Sequence, residues 1–300
     1  MSNYSMADIV SITGIKAHTL RKWESRYQFI EPKRTATNIR YYTDDQLRKL
    51  LNIGILTRNG YRISNIDKMS NQEIHDIVSE ILLEVTPQDD IKALIINMLE
   101  MSEIGFNEIV NRYNNKYGLL KTTTDLLYPF LNHVGVLWGT NKVMPAQEHF
   151  ISNLIKQKMF AAIDAIPLKN ENQPTIVLYL VEGESHEIGL LLAHYIAKEL
   201  DWRTIYLGQN VPLENIKEVL KIVKPNLMMT LFTMLRPGKI EELIKAVTKD
   251  TEVTLAVSGS GHIENSINDF EQAIYLNNPE VFIDLLHKKQ NSYISGTSKV

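Results

Sequence analysis

Three groups of residues in this chain have the types and spacing to do chemistry. In "VEGESHEIGL" (181–190), Glu184, His186 and Gly189 form an E-x-H-x-x-G pattern directly after the apolar run "TIVLYLV". An imidazole two residues from a carboxylate can be a general base, a metal ligand whose tautomer the carboxylate fixes, or a solvated loop histidine. In "LWGTNKVMPAQEHF", Trp138 is followed after nine intervening residues by Glu148 and His149. An aromatic plate with a few directed polar groups suits small-molecule recognition. The plain alternative is a core aromatic followed by helix-start residues that the helix dipole favours. The third group lies near the start: Thr19, Arg21, Lys22 and Arg26, then Lys33, Arg34, Arg40, Tyr41 and Tyr42. Arginine suits guanine edges and phosphates bidentately, and tyrosine hydroxyls can donate to phosphate. Arg26 could instead pair internally with Glu24 or Asp8.

Composition sets bounds on these options. A length of 300 residues with 44% hydrophobic content implies two or three domains with real cores. There are no cysteines, which excludes disulfides, thiolate zinc sites, iron–sulfur clusters and a cysteine nucleophile, and fits a reducing compartment. The segment "MSNYSMADIV" lacks the flank and apolar region of a signal peptide, and no apolar run approaches the roughly 18 residues of a membrane span. No membrane association and a cytoplasmic, nucleoid-associated location are therefore expected. The net charge of −3 hides an asymmetry: residues 1–70 carry 12 Lys/Arg against 6 Asp/Glu, the remainder 20 against 29. A basic first module on an acidic body points to a polyanion partner.

The elements that must position these residues follow from periodicity. Met6, Ile9, Val10 and Ile12 predict a short helix that Gly14 ends. A second helix carries Leu20, Trp23 and Tyr27 on its inner face and the basic residues on other faces, the helix-turn-helix arrangement. Pro32 stops it, and the stretch ending in "IRYY" predicts a small wing. Thr43 with Gln46 is a capping box for a helix to about Thr57, and a short helix follows from about Asn65. Amphipathic runs at about 72–84, 87–101, 106–116, 119–137 and 144–165 predict an antiparallel helical bundle. From Gln173, five apolar runs, "TIVLYLV", "RTIYLG", "NLMMTLFT", "VTLAVSG" and "QAIYL", alternate with helical runs near 186–200, 212–223, 237–249, 263–270 and 278–289. That rhythm predicts a parallel sheet covered on both faces, with its ligand outside the carboxyl ends of the strands.

The order "T-L-R-K-W-E-x-R-Y", "N-x-R-Y-Y", then "D-D-x-L-x-x-L" resembles the winged-helix DNA-binding domain of MerR-type transcription regulators. The resemblance implies that Arg21, Lys22 and Arg26 approach the major groove, while Arg34, Arg40, Tyr41 and Tyr42 hold backbone phosphates of double-stranded operator DNA, with Thr19 and Lys33 also among the DNA-binding residues. No sustained heptad pattern follows residue 70, so dimerisation through a long coiled coil is not expected.

The carboxyl-terminal part resembles the flavodoxin-like (Rossmann-type) cobalamin-binding domain: Glu184-x-His186-x-x-Gly189, Thr230 with Thr233, and Ser258-Gly259-Ser260-Gly261 match its signature in order. With the bundle, the W-x9-E-H element and the MerR-type head, the chain is similar to the CarH/LitR photoreceptor repressors over almost all its length. The implied architecture is multidomain α and α/β: a head at 1–72, a bundle capping the cobalamin at 73–170, a cobalamin-binding domain at 171–292 and a disordered tail at 293–300. The implied cofactor is adenosylcobalamin, with His186 as cobalt ligand, Glu184 as its orienter and Gly189, Gly259 and Gly261 giving the nucleotide tail room. Thr230, Thr233, Ser258 and Ser260 would donate to that tail, and Trp138, Glu148 and His149 would roof the upper face of the corrin. The function implied is that of a repressor, not an enzyme, in which light cleaves the cobalt–carbon bond, changes a dimer or tetramer and releases DNA. One position departs from the pattern: the histidine that follows this tryptophan in the best-known members is Gly139 here, with His133 and His149 as candidate substitutes. That departure motivates a light-independent cobalamin- or partner-responsive regulator as the alternative. A corrinoid methyl-transfer protein is a third reading.

Overall fold

The computed structural model describes residues 4–27, 30–35, 38–81, 87–139, 144–167, 173–233, 237–249, 251–259, 264–267 and 270–297. The chain divides into two compact units, Met1–Leu154 and Ile155–Val300.

The first unit is helical, with one small hairpin. Helix α1 (Met6–Thr13) is capped by a reciprocal Ser5–Asp8 box and ends at Gly14, whose φ of 71° is the left-handed conformation that glycine adopts without strain. Helix α2 (Ala17–Glu24) buries Leu20, while Trp23 and Tyr27 are half-buried. Strands β1 (Lys33–Arg34) and β2 (Arg40–Tyr41) pair antiparallel as the expected wing, Lys33 opposite Tyr41 and Arg34 opposite Arg40. Helix α3 (Asp44–Arg58) starts at the predicted Thr43–Gln46 capping box, and α4 (Ile63–Ile66) follows a turn.

Next come α5 (Asn71–Ile81), α6 (Pro87–Leu99), α7 (Glu103–Lys121), a π-helical stretch (Thr122–Leu127), α8 (Tyr128–Gly139) and α9 (Pro145–Asp164). Gly118 (φ 82°) kinks α7 before the π-helical turn. Leu94, Ile95, Met98, Phe106 and Phe130 form the bundle core, with the two phenyl rings 6.0 Å apart. Helix α3 packs on α5 and α6, and Arg58 of α3 pairs with the buried Asp89 of α6.

The second unit is α/β. Strands β3 (Thr175–Val181), β4 (Arg203–Val211), β5 (Leu227–Phe232), β6 (Thr254–Gly259) and β7 (Ala273–Leu276) form one parallel sheet in the order β4-β3-β5-β6-β7. They alternate with α10 (Ile188–Glu199), α11 (Leu213–Val223), α12 (Pro237–Thr248), α13 (Glu264–Ile267) and α14 (Pro279–Thr297). This is the flavodoxin-like doubly wound order expected from the sequence. Both central strands β3 and β5 are buried along their whole length, which is why they read as unbroken apolar runs. Val177, Tyr179, Val181, Met228 and Phe232 pack under α11 and α12, and α10 and α14 pack together elsewhere in the unit. The strand order reverses between β3 and β5, so their carboxyl ends frame the crevice where such sheets take ligands. Two expectations are corrected. Strand β4 runs on to Val211, and residues 293–297 continue α14 rather than forming a disordered tail, since that helix reaches Thr297.

Candidate functional site

The loop between β3 and α10 carries Glu184 and His186. Glu184 is fully buried. Its Oε1 accepts from the backbone N–H of Ser185 (3.0 Å) and His186 (3.1 Å), from His186 Nδ1 (2.7 Å) and from Thr233 Oγ1 (2.8 Å). Its Oε2 accepts from Thr233 N–H at 2.7 Å. Burial alone would raise this carboxyl. The donors from His186 and Thr233 outweigh burial and hold it far below the usual carboxylate range. A carboxylate only accepts, so Nδ1 carries the hydrogen and a neutral His186 ring keeps its lone pair on Nε2. The His186 side chain is 53% exposed. A neutral imidazole of fixed tautomer at the carboxyl end of a central strand fits a single ligand to a metal that a macrocycle brings with it.

The other predicted cofactor residues are placed unevenly. Gly189 is half-buried in the first turn of α10. Gly259 ends β6 with φ 147°, a conformation that favours glycine. Ser258 commits its hydroxyl hydrogen to Leu276 O (2.8 Å) and Thr233 commits its own to Glu184, so neither donates to a cofactor tail as expected. Thr233 instead joins the Glu184–His186 pair across 49 residues of sequence, a contact that no local pattern signals. Thr230 lies inside β5, two residues before its end, 1% exposed, on the same face as Met228 and Phe232 under α11 and α12. Its hydroxyl, like that of Tyr179 on the same face, has no hydrogen-bond partner. Ser260 and Gly261 lie outside the described residues.

In the first unit, Trp138 and Gly139 close α8, residues 140–143 lie outside the described residues, and Glu148 and His149 fall in the first turn of α9. His149 Nδ1 sits 3.2 Å from Glu148 Oε2. The preceding Gln147 is buried and donates to Leu99 O (3.1 Å), which pins the start of α9 to the end of α6. His133 Nδ1 donates to Pro129 O at 2.8 Å.

Arg21 and Lys22 are exposed on α2, with Thr19 half-buried beside them, and Arg26 is exposed in the turn that follows. Lys33, Arg34 and Arg40 are exposed on the wing, and Tyr41 is half-buried. Arg34 Nη1 donates to Asn38 Oδ1 at 2.7 Å, which stiffens the hairpin. Arg40 Nε lies 3.4 Å from Glu24, and Glu24 also accepts from the Tyr42 hydroxyl. The internal partners of Glu24 are thus Arg40 and Tyr42. Tyr42 is the clearest correction in the head. It is fully buried, and burial followed by the Glu24 bond pushes its phenol well above the ordinary range, so it holds the wing onto α2 and cannot reach a phosphate.

Comparison with known proteins finds two family matches, one over the head and one over the helical bundle. Residues 4–73 match the family described as MerR HTH family regulatory protein, and residues 90–162 match the family described as B12 binding domain. The HTH-type transcriptional repressor CarH of Myxococcus xanthus is 25% identical over 230 residues, 74% of this chain and 76% of the relative. The HTH-type transcriptional repressor CarA of the same organism is 24% identical over 235 residues, 76% of each. Among solved structures, a monomethylamine corrinoid protein of Methanosarcina barkeri shares the fold at a TM-score of 0.52 and 16% identity, over 67% of this chain and 98% of that one. Together these findings support a B12-binding, DNA-binding regulator that combines a MerR-type head with a cobalamin-binding body. Among the described residues, no helix is long and apolar enough to cross a membrane.

Proposed function

We propose that this chain, a CarH-type MerR/B12 regulator, is a light-sensing repressor that takes adenosylcobalamin as cofactor and His186 as its cobalt ligand. The observation that carries the ligand assignment is the buried Glu184 carboxylate, which holds His186 by Nδ1 at 2.7 Å and so directs Nε2 as the donor atom. Bound there, adenosylcobalamin supplies a cobalt–carbon bond that visible light cleaves. Everything else is done by the chain's own residues. Glu184 and Thr233 fix the ligand, and Gly189 and Gly259 leave backbone space. Trp138, Glu148 and His149 are the residues that would contact the adenosyl group when it is bound. Arg21, Lys22 and Arg26 meet the major groove, and Lys33, Arg34, Arg40 and Tyr41 meet phosphates. The dark state is a dimer or tetramer whose linked heads gain avidity on operator DNA, and losing the adenosyl contacts shifts the population away from it. The chain binds and switches; it catalyses no reaction.

The test is the absorption spectrum of the purified chain with adenosylcobalamin, dark and then lit, against His186→Ala. An imidazole-ligated dark spectrum that the variant lacks supports the ligand, and identical spectra refute it. Gly139, in place of the family histidine, favours a second reading in which cobalamin is sensed without light. Equal DNA binding with methyl- and adenosylcobalamin in darkness would select that reading.

A further inference from the structure

The residue after the ligand, Glu187, occupies the N-cap position of α10, yet its side chain makes no capping bond. Its Oε1 accepts instead from the Tyr206 hydroxyl of β4 at 2.8 Å. Tyr206 is itself held in place. Its ring stacks on His194 at 4.8 Å and 13°, and Phe160 meets it edge-on at 6.3 Å. His194 Nε2 is in turn fixed on Thr204 Oγ1 at 2.9 Å. Burial first, then the bond to Glu187, pushes the Tyr206 phenol above its ordinary range, so the hydroxyl keeps its hydrogen at any physiological pH.

The same strand reaches the other end of the loop. Asn210 Oδ1 accepts from Gly183 N–H at 3.1 Å. Gly183 (φ 85°) and Asn210 (φ 55°) both adopt left-handed backbone to make that bond. Between Tyr206 and Asn210 the β3–β4 register slips. Leu178 pairs with Tyr206 but Tyr179 pairs with Gly208, leaving Leu207 as an extra residue, and Gly208 has φ 75°. A bulge beside a functional loop re-aims the side chains around it. Here it lets one edge strand address Glu187 after the ligand and Gly183 before it. Thr233, the residue after β5, holds the middle of the loop through Glu184.

We propose that β4 is a brace for the ligand loop, and that Tyr206, through Glu187, and Asn210, through Gly183, are positioning residues that set where His186 presents Nε2. This rests on the reading of His186 as cobalt ligand. Neither residue touches the metal; each acts by limiting loop movement, and outer-shell partners of a ligand histidine are worth roughly 10–100-fold in metal affinity. Acting one link further out, each is worth about tenfold or less.

The experiment uses the full-length chain titrated in the dark with adenosylcobalamin, reading affinity and the imidazole-ligated fraction from the absorption spectrum. Tyr206→Phe keeps the ring stack and removes only the hydroxyl, Glu187→Ala removes its acceptor, Glu187→Gln retains an acceptor, and Asn210→Gly removes the amide at a permitted φ. Expected are a loss of up to about tenfold in affinity and a reduced ligated fraction for Tyr206→Phe, Glu187→Ala and Asn210→Gly. Glu187→Gln should stay near wild type, and the Tyr206→Phe/Glu187→Ala double variant should be no worse than the more severe single. Unchanged spectra and affinities in Tyr206→Phe and Asn210→Gly, or additive losses in the double variant, overturn the brace while the wild type remains imidazole-ligated. A wild-type spectrum identical to that of His186→Ala overturns the ligand assignment itself.

Discussion

Glu184→Gln probes the bond set on which the ligand loop depends. Five donors converge on the two carboxylate oxygens: the N–H groups of Ser185, His186 and Thr233, His186 Nδ1 and Thr233 Oγ1. Glutamine keeps one oxygen and turns the other into an NH2, so a donor faces a donor whichever way the amide lies. A hydrogen bond to a charged group contributes about 1.5–3 kcal/mol, and a stranded buried donor costs about 1–3 kcal/mol. Because the two losses overlap, a total of about 3 kcal/mol is expected. At about 2–4 °C per kcal/mol for a folding unit of roughly 150 residues, the midpoint of this unit should drop by about 6–12 °C. The pH dependence has a definite sign. The folded-state pKa of Glu184 is depressed, so its contribution is present above the unfolded value near about 4.3 and is lost as pH falls through the folded value. The gap between wild type and variant is therefore full at neutral pH and narrows below about pH 4. Unfolding followed by circular dichroism across a pH series reads both quantities. Equal midpoints at neutral pH, or a gap that widens on acidification, would refute the role given to the carboxylate.

Other outcomes follow from the first unit. Tyr42→Phe should cost about 2 kcal/mol of stability through the lost bond to Glu24 and leave DNA affinity and its salt dependence unchanged. A weaker affinity at unchanged stability would restore Tyr42 to the DNA face. Arg21→Ala and Lys22→Ala should each weaken binding and lower the slope of log affinity against log salt by about one if the residue meets a phosphate, whereas a base-reading arginine relaxes specificity instead. Wild-type stability at low salt should fall as pH rises from about 4 to about 6, because burial raises Asp90 to about 6 despite the Arg112 ion pair that lowers it. Asp90→Asn should flatten that slope; an unchanged slope would show that Asp90 does not titrate there.

How much of this was legible in the sequence depended on how local each signal is. The five strands, the wing and the Thr43–Gln46 cap announced themselves because alternation, apolar runs and capping residues act over a few positions. The E-x-H pair was equally local, and its hydrogen bond is short because the two residues share one loop. What escaped was long-range or facial. Thr233 and Thr230 looked equivalent at a strand end, but period-two alternation and a buried strand interior separate them, and only Thr233 meets Glu184. "IRYY" looked like two exposed tyrosines, whereas Tyr42 also pairs with Tyr4 and turns into the core. Glu187 carries no local signal of its role, because Tyr206, its partner, arrives from a strand 19 residues on.

The most direct test is DNA binding by the full-length chain to its own promoter duplex at fixed salt, followed by fluorescence anisotropy. The three conditions are cofactor-free, adenosylcobalamin in darkness, and the same sample after green light. A light-sensing repressor binds most tightly in the dark with adenosylcobalamin and loses that gain on illumination, and His186→Ala shows a diminished gain. Affinity that is the same in all three conditions would contradict the proposed function.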